Sequence, residues 1–350
     1  MTSVLVLKTG ALGDVLRTTS ILPGLAGRFE DLRVTWFTAH AAVPLVERHP
    51  LVERVVACDP TDAASVDAAG RELGGGAWDW VLSLDDEEPL CALASSLDAR
   101  RVAGAILADD GARTYTDDVE EWFGMGLLSK DGKEAADARK RENERTHPAI
   151  LASMLGIEPG RPALPLSEDA IERGRALAAA NGLDGDALVV GLNTGAGGRW
   201  TSKGLPVERV VAFAGAFAAA VEREVRYVIL GGPAERERNA RILAGIEALG
   251  GRTIDAGADN SLTDFAAIVG TCDLLLTSDS LALHVGVAME TPIVAFFAPT
   301  SAAEIELYGL GQKVVSTAPD YCSYARDADR STLTVERLVD AALRVLAARS

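Results

Sequence analysis

Short apolar runs recur along almost the whole chain, each followed by a polar turn and a stretch of helical spacing. This alternation constrains the fold more than any other feature. A strand buried on both faces reads as an unbroken apolar run, and a helix between successive strands makes those strands parallel. The first half offers strands at residues 4–8, 33–38, 54–59, 78–84 and 101–105, with a helix over 14–29 after the first. The second half offers strands at 188–193, 226–230, 252–255, 273–277, 293–297 and 313–316. The expected class is α/β with parallel sheets. Two domains are expected, because 350 residues exceed what one compact core usually holds.

The seam falls at Gly160-Arg161-Pro162-Ala163-Leu164-Pro165, which reads as a linker. Ser167 then caps a helix with Glu168 and Asp169 in its first turn, and Asn181-Gly182 closes it. Ser261 with Asp264 three residues on resembles a capping box for a helix through Val269. Val335, Leu338, Val339, Ala342, Leu343 and Leu346 are spaced for one buried face of a last helix. The expected division is 1–165, 166–332 and a C-terminal helical piece 333–350. Between 108 and 157 the alternation fails. Lys130, Lys133, Arg139, Lys140, Arg141, Arg145 and His147 crowd there among Glu134, Asp137, Glu142 and Glu144. Two readings stand: a solvated helix of mixed charge, or a mobile segment that grips an anionic acceptor.

The formal net charge of −17 argues against nucleic acid as a partner, since that binding needs clustered cations. A phosphorylated ligand is still compatible with a locally positive site. Cys58, Cys91, Cys272 and Cys322 are far apart and form no CxxC, which speaks against a zinc site or a disulfide framework and suits a reducing cytoplasm. The start, MTSVLVLK, has four apolar residues before Lys8, unlike the longer apolar core of a signal peptide. No run approaches the roughly 18–20 apolar residues of a membrane span. The expectation is a cytoplasmic chain whose membrane association, at the inner face of the cell membrane, is at most peripheral.

Four segments could carry chemistry. Thr9-Gly10-Ala11-Leu12-Gly13-Asp14-Val15 joins the first strand to a helix. Strand, glycine loop and helix form the phosphate-binding arrangement of α/β folds, but G-x-x-G-D is neither G-x-G-x-x-G nor a Walker sequence. Gly10 and Gly13 would let a substrate approach the backbone, and Asp14 is either a working carboxylate or an ordinary helix-start acid. Asn193-Thr194-Gly195-Ala196-Gly197-Gly198-Arg199-Trp200-Thr201-Ser202-Lys203 follows the first strand of the second half. Its amides with Lys203 could neutralise a diphosphate, or it could be a flexible surface loop. Gly231-Gly232-Pro233-Ala234-Glu235 places a carboxylate where ribose hydroxyls or a helix dipole would use it. Residues 277–300 run from a strand through Ser278, Asp279 and Ser280 into a helix with His284 in its first turn, whose free amides attract phosphates. Asp327-Ala328-Asp329 reads as a polar loop, and Asp85-Asp86-Glu87-Glu88 as a solvated charge run.

Taken together, G-x-x-G-D-V, N-T-G-A with S-K-G-L-P, G-G-P-x-E, and T-S-D-S-x-x-x-H with T-P-I-V-A-F-F-A-P-T-S resemble glycosyltransferase family 9, the ADP-heptose:lipopolysaccharide heptosyltransferases. The resemblance implies a GT-B fold: two Rossmann-like domains facing across a cleft, with the last helix crossing back to the first domain. It implies an inverting transfer from a nucleoside-diphosphate sugar, such as ADP-heptose, to a hydroxyl of a glycan or lipopolysaccharide-like acceptor, with no metal and no cofactor. By position, Asp14 matches the family's general base and Lys203 its phosphate-contacting lysine. The implied donor-binding set is Thr194, Gly195, Lys203, Glu235, Asn260, Asp279, Ser280, Leu281 and His284, with Gly10 and Gly13 on the acceptor side. Leu281 stands where the family commonly has glycine. Lys203-Gly204-Leu205-Pro206 stands where K-R-W-P is usual, with Trp200 shifted upstream. A non-catalytic nucleotide-sugar-binding protein and a GT-B nucleotide-sugar epimerase are the alternatives.

Overall fold

The apolar runs become strands, and their order decides which loops meet. The computed structural model describes residues 1–183, 185–197 and 201–349. The first unit, Met1–Pro165, holds β1 (Thr2–Leu7), β2 (Leu32–Ala39), β3 (Val52–Cys58), β4 (Trp78–Ser83), β5 (Ala99–Leu107) and β6 (Arg113–Tyr115). They lie in the order β3-β2-β1-β4-β5-β6, parallel except for β6, which runs antiparallel to β5. The second unit, Leu166–Ser350, holds β7 (Leu188–Asn193), β8 (Val225–Ile229), β9 (Arg252–Asp255), β10 (Leu274–Ser278), β11 (Ile293–Phe297) and β12 (Gly311–Val315). Their order is β12-β11-β10-β7-β8-β9, all parallel.

Counted from its own first strand, each sheet has the order 3-2-1-4-5-6 of a doubly wound nucleotide-binding fold. The order reverses between β1 and β4 in one unit and between β7 and β10 in the other. Ligands of such sheets bind beyond the carboxyl ends of the strands at that reversal. The loops after β1, β4, β7 and β10 are therefore the ones that matter.

Each sheet is buried by helices on its faces. Leu5, Leu7, Phe37 and Val81 pack with Val66 and Leu90 from the helices Ala63–Glu72 and Glu88–Ser96. Val190, Leu192, Tyr227 and Ile229 pack with Phe213 and Phe217 from the helix Val207–Ala220. Each such side chain contributes about 1.5–3 kcal/mol of transfer free energy when fully buried. The two helices capped by Ser167 and Ser261 form as the sequence implies: each serine hydroxyl accepts a first-turn amide, from Ala170 and Asp264 respectively. Among the described residues there is no disulfide, and all four cysteines are buried. Among the described residues no helix is long and apolar enough to cross a membrane.

One expectation is revised. The helix expected over 14–29 is two helices, Leu12–Thr18 and Ile21–Arg28. Pro23 has no amide hydrogen, and its ring would clash with the carbonyl four residues back, so the ladder breaks at Thr19-Ser20. The final helix, Val335–Ala347, buries its stripe of Leu338, Ala341, Ala342 and Val345 in the second unit's core. Residues 108–157 also hold regular structure: β6 and the helices Glu120–Phe123, Gly132–Glu142 and His147–Leu155. Four of the basic residues there are paired with the acids interspersed among them. Lys130 pairs with Asp117 at 2.9 Å, Arg139 with Glu120 at 3.0 Å, Lys133 with Asp137 and Arg145 with Glu121. This is the mixed-charge reading.

Gly104 fixes the edge of the first site. It pairs with Ser83, at the end of β4, and has φ of +133°. A Cβ there would lie 1.8 Å from the Ser83 carbonyl oxygen. Gly104→Ala must therefore push β5 away from β4 as well as adopt a disfavoured backbone. The expected loss is about 3 kcal/mol or more in denaturant unfolding. A variant within about 0.5 kcal/mol of the parent, the scatter of neutral surface changes, would show that this contact is not limiting.

Candidate functional site

In the first unit, β1 leads through Lys8-Thr9-Gly10-Ala11 into the helix Leu12–Thr18, and β4 leads through residues 84–87 into the helix Glu88–Ser96. Because β1 and β4 are neighbours, Lys8 meets Asp85 despite a separation of 77 residues. The two form a buried ion pair, with side chains 9% and 8% exposed. Lys8 Nζ also donates to the Gly10 carbonyl at 2.5 Å. The other Asp85 oxygen accepts from the Thr9 amide at 2.5 Å, the Thr9 hydroxyl at 2.9 Å and the Gly10 amide at 3.1 Å. One carboxylate therefore holds the shape of the glycine loop. Asp85 is not part of a solvated charge run; the sequence showed its charge but not the crossover that buries it.

Asp14 follows in the first turn of the helix Leu12–Thr18. The N-cap is Ala11, and Asp14 pairs with Arg17 at 2.9 Å while remaining 38% exposed. Arg17 lies 5.5 Å from the Trp122 ring centroid, and Trp122 meets His147 edge-on at 4.7 Å. A cavity of about 270 Å³ opens beside Asp14, lined in part by Lys8, Gly10, Asp85, Glu87, Trp122 and Lys140. Gly13 is buried within the helix and does not face this cavity as a lining residue.

In the second unit, Lys203 reaches across the β7/β10 reversal. Its Nζ donates to Asp279 Oδ2 at 2.8 Å and to the Asp279 carbonyl at 3.0 Å. Burial pushes the Asp279 carboxyl up, but Lys203 and His284 outweigh it and hold it below the usual carboxylate range. Ser280 is the N-cap of the helix Leu281–Ala288 without a side-chain cap bond, so the first amides there are not used by that hydroxyl. Among the described residues the Ser280 hydroxyl makes only long contacts, 3.4 Å to the Ser278 carbonyl, 3.4 Å to the Thr277 hydroxyl and 3.5 Å to Asn193 Oδ1. His284 is buried in the first turn, and Leu281 is half-buried at its start. The positive end of this helix and Lys203 make a place suited to an anion.

The glycine loop after β7 is tied from several sides. Ser278 donates to the Gly195 carbonyl at 2.7 Å, and Leu205 to the Thr194 carbonyl at 3.0 Å. Glu235 accepts from the Gly232 amide at 2.9 Å and from the Gly197 amide. A Cβ on Gly195 would lie 2.6 Å from Glu235 Cγ, so glycine permits this approach. Thr194 is buried, and its hydroxyl has no hydrogen-bond partner among the described residues. Gly198, Arg199 and Trp200 lie outside the described residues. Asn260 is not brought into this group. It is exposed on the loop after the edge strand β9, and its amide closes its own turn on Ala256 and Gly257. Asp329 likewise closes its own turn on Ser331, at 2.7 and 2.8 Å.

Sequence reasoning missed Arg238. It stands three residues after Glu235 in GGPAERER, a spacing that puts it one turn on, and donates to the Thr194 and Leu205 carbonyls at 3.0 and 2.6 Å. Burial pulls its guanidinium below the usual range, though an arginine stays charged in a protein. It supports the loop from below with a fixed cation.

A sequence profile of glycosyltransferase family 9 (heptosyltransferase) matches residues 143–335. No curated protein matches. Among solved structures, a family 9 glycosyl transferase from Veillonella parvula is 20% identical with a TM-score of 0.76, covering 99% of this chain and 98% of that one. ADP-heptose lps heptosyltransferase II of E. coli is 15% identical with a TM-score of 0.65, covering 100% and 99%. E. coli heptosyltransferase WaaC, solved with ADP-2-deoxy-2-fluoro heptose, is 18% identical with a TM-score of 0.59, covering 100% of both. These likenesses establish the GT-B fold, and the profile covers more than half of the chain: it belongs to glycosyltransferase family 9, the heptosyltransferase family.

Proposed function

We propose that the chain moves a sugar from a nucleoside-diphosphate sugar to an acceptor hydroxyl, inverting the anomeric carbon and using no metal. One observation carries the reading: Lys203, Asp279, Ser280 and His284 gather at the β7/β10 reversal, inside the family-matched segment. The proposed donor is an ADP-sugar of the ADP-heptose class, because E. coli WaaC is solved with ADP and with an ADP-heptose analogue. The acceptor is a glycan or glycolipid hydroxyl, and the reaction takes place in the cytoplasm.

The proposed chemistry needs two charges handled. The acceptor oxygen attacks the anomeric carbon, its proton passes to Asp14, and the bond from that carbon to the diphosphate oxygen breaks. The diphosphate leaves with the bonding electron pair. Lys203 and the first amides of the helix Leu281–Ala288 stabilise the charge that develops there, with His284 in the same turn. Asp14 is exposed enough to meet a substrate and is oriented by Arg17. Glu235 and Arg238 act earlier, by shaping the loop that carries Thr194 and Gly195.

Two outcomes test this. Thermal unfolding with ADP, GDP, UDP and CDP should show a shift with ADP, worth about 2.7 kcal/mol at a hundred times its Kd. Lys203→Met should remove most of the ADP-dependent increment. No stabilisation by any of the four nucleotides would overturn donor binding. Asp14→Asn should lower kcat by about 10²–10⁴-fold while leaving the ADP shift in place, and unchanged turnover would rule out Asp14 as the base.

A further inference from the structure

A second arginine, Arg330, holds the turn that carries Lys203. It follows Asp327-Ala328-Asp329, the polar loop before the final helix. Its Nη1 donates to the Thr201 carbonyl at 3.0 Å and to the Gly204 carbonyl at 2.7 Å, on either side of Ser202-Lys203. The Ser202 hydroxyl returns a bond to the Ala325 carbonyl at 2.9 Å. The platform under Arg330 is itself fixed. Asp329 accepts from the Ser331 amide and hydroxyl, and its own amide donates to Asp320 at 2.8 Å. Arg209 Nη1 donates to the Arg330 carbonyl.

Arg238 holds the other arm of the same loop through the Thr194 and Leu205 carbonyls, and the Ser278 hydroxyl takes the Gly195 carbonyl. The carbonyls of Thr194, Gly195, Thr201, Gly204 and Leu205 are thus all bound by side chains from outside the loop. A trans peptide is planar, so its N–H points opposite to its C=O. Pinning the Thr194 and Gly195 carbonyls turns the amides of Gly195 and Ala196 away from these donors, and pinning Thr201 does the same for Ser202. Amides gathered beside a lysine make an anion-binding concavity. Burial is the main cause that pulls the Arg238 guanidinium down; Glu235 opposes it, and the charges of Arg241 and Arg330 add to it. Two guanidinium groups behind one loop repel each other, so what they hold explains their placement better than fold stability does.

We propose, on the basis of the donor reading, that Arg330 is a positioning residue: it fixes the carbonyls that flank Lys203, with Arg238 on the opposite arm, so that Lys203 and the loop amides stand arranged for a diphosphate before one arrives. Preorganisation of this kind lowers the ordering cost of binding. Arg330 acts here through Lys203 and not by contact with the ligand.

Arg330→Ala is compared with the parent in three measurements. The Gly204 and Leu205 amides donate to the Thr201 and Thr194 carbonyls at 3.2 and 3.0 Å. They should exchange with solvent about tenfold faster in the variant, as for one lost charge-assisted hydrogen bond, while the helix Val207–Ala220 keeps its protection. ADP, followed by calorimetry, should bind about tenfold more weakly. Adenosine, which lacks the diphosphate and is followed by ligand-observed NMR, should bind both proteins alike, whereas a general distortion of the unit would weaken both ligands. Arg330→Gln, which loses the charge and part of the reach, serves if Arg330→Ala does not fold and should shift exchange and ADP binding in the same direction. Unchanged exchange at Gly204 and Leu205, unchanged ADP affinity, or equal losses for ADP and adenosine would each overturn the proposal. A parent that binds no ADP would instead defeat the donor reading, and the exchange rates would still decide whether Arg330 holds the turn.

Discussion

Each unit carries a lysine–aspartate contact across the point where its strand order reverses, and both functional loops depend on it. Lys8 and Asp85 span β1 and β4; Lys203 and Asp279 span β7 and β10. Neither contact is an efficient way to stabilise a fold, since removing two charges from water costs several kcal/mol per ion before attraction returns any of it. What the first pair supplies is geometry. A carboxylate with two oxygens can collect the Thr9 and Gly10 amides and a lysine at once, and a neutral side chain cannot. The loop that presents Asp14 thus takes its shape from a residue on the neighbouring strand's exit.

The second pair differs in a way that matters for chemistry. Asp85 has four partners and is sealed, whereas Lys203 and Asp279 are 18% and 17% exposed and lie beside a helix start. A sealed pair organises backbone. A partly open one can exchange one anion for another, and in the proposed reaction a diphosphate competes with Asp279 for Lys203. The same topology has therefore produced a structural clamp in one unit and a responsive contact in the other.

The sheets were legible because their central strands are buried on both faces and so read as plain apolar runs. Serine caps were legible because their partners are three residues away. What local sequence hides is any role set by the crossover. Asp85 looks like one of four exposed acids until β4 is placed beside β1. Arg238 looks like a helix surface charge until the loop after β7 folds over it. Asn260 was joined to the donor set by its family likeness, but β9 lies at the sheet edge, two strands from the reversal. The final helix shows the limit of periodicity: spacing gives a buried face, while the identity of its partner comes from the core that has room for it.

Net charge illustrates the same point at larger scale. A chain of −17 is a poor match for polyanions, yet its two reversal points differ in their pairings. In the second unit the positive end of a helix, Lys203 and the half-buried Arg238 converge near one glycine loop. In the first unit Lys130, Lys133, Arg139 and Arg145 are paired with Asp117, Asp137, Glu120 and Glu121, and Lys8 is paired with Asp85. The cavity beside Asp14 is lined by Lys8 and Lys140 as well as by Asp85, Asp86 and Glu87. Coulomb interactions over a few ångströms in a partly dry site exceed the screened field of distant surface charges. Which ligands each site admits is therefore decided by these local pairings, and the overall charge of the chain decides only what it avoids in bulk.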